Sequence, residues 1–115
     1  MVTVSTTLNN MASTYVGYGS WVGLATGAPG ATATPANEAT GGAPAYARKA
    51  TVWSAGTVGV QNGAAVTLDV AAATYTFMLV ASLASGANQY DNCSIPSVVM
   101  GAQGQIVVTP TFTMT

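Results

Sequence analysis

A chain of 115 residues with two basic and three acidic side chains, no histidine and a formal charge of −1 has the length of one domain with one core. It lacks the basic footprint that phosphate binding depends on, which excludes a nucleic-acid partner. Proton-transfer chemistry has only Glu38, Arg48, Lys49, Asp69, Asp91 and Cys93 to draw on, so the composition points away from an enzyme and away from a cofactor.

Taken in chain order, residues 1–19 form an amino-terminal arm or a short helix. Val4, Leu8, Met11 and Tyr15 recur at helical steps, with Ser5 or Thr6 as cap, before Gly17 and Gly19 end the pattern. The first ten residues hold no positive charge and no continuous apolar run, so a chain made without export is expected. Residues 21–26, WVGLAT, are a short apolar run between glycines that suits a buried strand.

Composition then shifts to Gly, Pro, Ala and Thr over 27–44, with GAPG and GGAP as turn sequences, and a loop of this length is a candidate contact surface. Residues 46–53, YARKATVW, form the next expected strand and hold both basic residues. Strands follow over 57–60 and 65–70, joined by an Asn62-Gly63 hairpin turn. In the second of these, Val66, Leu68 and Val70 alternate with Thr67 and Asp69. A central strand is expected over 74–81, a polar loop over 86–92, and further strands over 95–100 and 105–114. Pro110 marks the last strand as an edge or a bulge.

Turns at near-regular spacing predict an all-β fold, a single β-sandwich or barrel-like domain of short antiparallel strands over 20–115 carrying the 27–44 loop. The uncharged stretch over 70–84 is shorter than the roughly 20 residues a membrane-crossing helix needs and is rich in strand formers, so membrane insertion is not expected. A surface this poor in charge offers little repulsion between copies, which predicts self-association or packing into a larger assembly.

The segment from Tyr15 to Trp53, YVGYGSWVGLATGAPG followed by ANEATGGAPAYARKATVW, resembles a family of small tailed-bacteriophage virion proteins. The matching positions are Thr26, Pro29, Gly30, Asn37, Glu38, Gly41, Gly42, Tyr46, Ala47 and Arg48. The resemblance implies a non-catalytic structural role in the virion as a minor tail or tail-fibre protein, or alternatively a head-associated decoration protein. It implies synthesis in the host cytoplasm, with copies of itself and other virion proteins as partners.

Among individual residues, Glu38 and Arg48 flank the Gly-rich loop and are expected to form a structural clamp pinning it to the following strand. Tyr90, Asp91 and Asn92 are expected to form an exposed binding loop, with a host surface glycan as the partner of an alternative receptor- or carbohydrate-binding module. Asp69 and Asp91 are too few carboxylates for a calcium site. Cys93, the one cysteine, has no disulfide partner, no zinc set and no histidine to activate it, so neither a metal site nor a catalytic residue is assigned.

Overall fold

The computed structural model describes residues 3–114. One helix, α1 (Ser5–Val16), precedes nine strands: β1 (Trp21–Ala25), β2 (Lys49–Ala50), β3 (Trp53–Ala55), β4 (Val60–Gly63), β5 (Val66–Val70), β6 (Ala73–Ala81), β7 (Gln89–Met100), β8 (Gly104–Val108) and β9 (Thr111–Thr113). All pairings between these strands are antiparallel. They give a four-stranded sheet in the order β2-β1-β6-β7, a three-stranded sheet β3-β4-β9 and a two-stranded sheet β5-β8. The chain is therefore mostly β with one short helix. No described helix is long and apolar enough to cross a membrane.

The core joins the four-stranded sheet to the β5-β8 pair. Val22, Leu24, Tyr75 and Val80 from one side meet Val66, Leu68, Val70, Ile106 and Val108 from the other. The period-2 pattern of β5 puts Val66, Leu68 and Val70 inward and leaves Thr67 exposed, and β8 buries Ile106 and Val108 in the same way. Full burial of a side chain such as Leu24 or Leu68 contributes about 1.5–3 kcal/mol.

Several sequence expectations fail at strand ends: the chain turns corners between sheets within two segments expected as single strands, and the β3–β4 hairpin turns at 57–59 rather than at Asn62-Gly63. Residues 46–53 are not one strand. β2 pairs with β1, and after Thr51 and Val52 the chain continues as β3 against β4. Residues 57–60 are mostly turn, and Asn62-Gly63 lies inside β4, where Asn62 pairs with both Ser54 and Thr111. Residues 105–114 likewise split at Thr109-Pro110 into β8, in one sheet, and β9, at the edge of another.

These corners meet at Gly63. Its N–H donates to the Pro110 carbonyl at 2.8 Å, and the Thr51 hydroxyl donates to the Ala64 carbonyl at 2.6 Å. A Cβ on Gly63 would lie 2.5 Å from Pro110 Cγ and 2.8 Å from Thr51 Oγ1. Close approach of three chain segments, rather than a turn conformation, thus explains this glycine, and Pro110 is buried at the junction.

α1 begins after Val4, and no side chain caps it, so neither Ser5 nor Thr6 plays that part. Its buried face is Leu8, Ala12 and Tyr15, with Ala12 fully buried while Val4 and Met11 stay exposed. Tyr15 anchors the helix by stacking on Phe112 at 3.6 Å between centroids and meeting Trp53 and Tyr90 edge-on. Trp53 Nε1 and the Tyr90 hydroxyl both donate to the Gly19 carbonyl, at 3.1 and 2.7 Å, fixing the exit from the helix.

Candidate functional site

The 27–44 segment leaves β1 at Thr26 and returns to it. Thr26 N–H donates to Asn37 O at 3.0 Å, Ala39 N–H donates to Leu24 O at 2.9 Å, and Glu38 bridges to Ala25. Asn37 sits at φ 60°, a left-handed conformation that Asn tolerates, and its side chain donates to Ala28 O at 3.1 Å. Closing the loop on β1 places the Glu38 carboxylate next to Gly23. A Cβ at Gly23 would run into the Tyr46 hydroxyl and lie 3.3 Å from Glu38 Oε2, so this strand position leaves room for the polar cluster above it.

Arg48 completes the cluster. Its Nε donates to Glu38 Oε2 and its Nη2 to Glu38 Oε1, both at 2.8 Å, a bidentate pair. Nη1 donates to Asn88 Oδ1 at 2.8 Å and Leu83 O at 3.0 Å, and Nη2 also donates to Gly86 O at 3.0 Å. All five guanidinium donors are thereby used. Tyr46 donates to Glu38 Oε2 at 2.8 Å and accepts the Leu24 N–H at 3.1 Å.

The Arg48 side chain is 2% exposed and that of Glu38 20%. Bonding to Glu38 raises the Arg48 pKa further above its ordinary value, and burial beside Glu38 pushes the Tyr46 phenol well up. With every Arg48 donor and both Glu38 oxygens engaged, the cluster joins the loop, β1 and the 82–88 turn into one unit.

Tyr90, Asp91 and Asn92 do not form a loop. β7 begins at Gln89, pairing Gln89 with Ala81 and Asp91 with Val80, so the three residues lie on a strand and the connecting loop is 82–88. Asp91 is exposed and Tyr90 and Asn92 are half-buried, and the neighbouring segments take up part of the polarity of this strand end. The buried Gln89 amide donates to Thr32 O at 2.8 Å and Asn92 Nδ2 donates to Gly30 O at 2.9 Å, so two amides tie β7 to the Gly-rich loop. Asp91 accepts the Tyr15 hydroxyl at 2.7 Å. Half-buried Tyr90 points at Gly19 and is pushed up to about 12 by burial, with Asp91 adding to the shift.

Between the loop and β7 an open cleft of about 570 Å³ remains, lined by Gly30, Thr32, Gln89, Tyr90, Asp91 and Asn92 among others. Asp69 accepts a bond from Gln105. Among the described residues, no three His, Cys, Asp or Glu side chains gather as a metal site. Cys93 is exposed on β7, and partial burial together with Asp91 raises its thiol pKa.

The roles of Asn88, Gln89 and Tyr15 escaped sequence reasoning. Their partners lie 40, 57 and 76 residues away, and no local pattern marks such contacts. No family model, curated protein or solved structure matches the chain.

Proposed function

We propose that the chain is a non-enzymatic structural component of a tailed-phage virion that assembles through protein–protein contacts. A minor tail or tail-fibre subunit is the leading form, and a capsid decoration protein the alternative. The observation that carries this reading is how the charges are distributed. Glu38 and Arg48 are consumed by the clamp, leaving Lys49, Asp69 and Asp91 as the remaining charged side chains of a chain with an accessible surface of 6057 Å². Val52, Leu83, Val99 and Val107 are meanwhile 61–74% exposed. A surface so short of charge does little to keep copies apart and loses little by being covered.

Two features support the virion assignment. Glu38, Tyr46 and Arg48, which carry the resemblance to small virion proteins, are the residues joined in the clamp. The two core-sharing layers also fit a β-sandwich, an architecture suited to lattice subunits. Quantitative mass spectrometry of purified particles tests the proposal: the chain is expected at a copy number set by particle symmetry, and its absence from particles overturns the reading.

The cleft beside Tyr90, Asp91 and Asn92 favours a second reading, a receptor- or carbohydrate-binding module. Binding of the free chain to host cells, abolished by glycan competitors, would favour that reading over the first.

A further inference from the structure

A strand at the border of a sheet presents unpaired N–H and C=O groups, and proteins blunt such borders with charge, proline, short length or a covering segment. Five of the six borders here are treated in this way. β2 has two residues, one of them the exposed Lys49. β3 and β9 have three residues each, and Pro110 precedes β9. β5 carries Asp69 and packs beside β2. β7 is covered at one end by the Gly-rich loop, contains Pro96, and its pairing with β6 shifts register between Ser94 and Val98.

β8 is the exception. Its five residues, GQIVV, contain neither charge nor proline. β5 is its sole sheet neighbour, and no further backbone hydrogen bond reaches it from the described residues. Val107 at its centre is 64% exposed.

We propose that β8 pairs edge to edge, antiparallel, with β8 of a second copy, making a continuous β5-β8-β8-β5 sheet across a two-fold axis. This inference rests on the assembly role proposed above and names its contact. The unpaired edge backbone specifies an extended strand as the occupant. Self-complementarity specifies the second copy: two identical uncharged strands meet antiparallel with their donors and acceptors in register and with no like charges opposed. Beside β8, on the side where β7 also ends its sheet, lies an apolar cleft of about 430 Å³ lined by Met78, Ile95, Val98, Ile106 and Val108.

The test combines sedimentation equilibrium with amide hydrogen exchange on the intact chain. Wild type is expected at the mass of at least two chains, with exchange over 104–108 slowing as concentration rises. Val107→Lys, which places a charge on the edge, is expected to halve the mass of the pair, while Val52→Lys, on another exposed valine, leaves it unchanged. If wild type associates but exchange over 104–108 is independent of concentration, or folded Val107→Lys keeps the wild-type mass, the β8 contact is wrong and the assembly role survives. A single-chain mass for wild type at every concentration overturns both.

Discussion

Glu38 and Arg48 face each other through two parallel 2.8 Å bonds, and the same guanidinium holds the carbonyls of Leu83 and Gly86. Removing Arg48 leaves the Glu38 carboxylate with only the Tyr46 hydroxyl as donor and takes the guanidinium away from the Leu83 and Gly86 carbonyls and Asn88 Oδ1. Arg48→Met is expected to destabilise the fold by about 3–5 kcal/mol, and Glu38→Gln by less, because the amide keeps one acceptor. Urea unfolding of both variants and the double variant measures the coupling between them. A loss below about 1 kcal/mol for Arg48→Met, the range of an exposed pair, contradicts the clamp.

Gly63 and Gly101 make an opposed pair. A Cβ at Gly63 meets Pro110 and Thr51, whereas one at Gly101 meets nothing within 4 Å. Gly63→Ala is expected to cost about 1–3 kcal/mol through overpacking. Gly101→Ala is expected to be neutral or stabilising by up to about 1 kcal/mol through the unfolded chain. Equal effects in thermal unfolding would remove the three-segment junction as the reason for Gly63.

Tyr15 serves α1 in two ways, by stacking on Phe112 and by donating to Asp91. Tyr15→Phe keeps the ring and is expected to cost about 1 kcal/mol. Tyr15→Ala is expected to cost about 3 kcal/mol or more and to speed amide exchange across residues 5–16. Unchanged exchange in the alanine variant would show that the helix docks by other contacts.

Alkaline pH tests the buried phenols. Tyr15, Tyr46 and Tyr90 are all raised above the ordinary value of 10.0, chiefly by burial. The folded chain therefore holds these protons more tightly than the unfolded one. The associated stability is fully present below pH 10 and is lost as pH climbs through the folded values, about 12 for Tyr90. Melting temperature should fall steeply above pH 10 while tyrosinate absorbance lags behind that of the urea-unfolded chain. Coincident titration of folded and unfolded chains would contradict the burial.

What the sequence made legible follows its local patterns. β1, β5 and β6 stand close to their expected positions because apolar runs and period-2 alternation are properties of neighbouring residues. Asn62-Gly63 misled because its glycine answers to Pro110, distant in sequence, rather than to a turn of its own. Tyr90, Asp91 and Asn92 were expected in a loop because polar residues suggest one, whereas they open β7, where Asn92 bonds to Gly30 and Asp91 to Tyr15. The helical face was displaced because Ala12, small and unremarkable in sequence, is the residue that lets the helix approach the sheet.

Sedimentation equilibrium of the wild-type chain over a range of concentrations, at low and at high salt, tests the assembly role most directly. Contacts made without ions should survive added salt, so the account predicts a mass of two or more chains in both conditions. A one-chain mass throughout would contradict it.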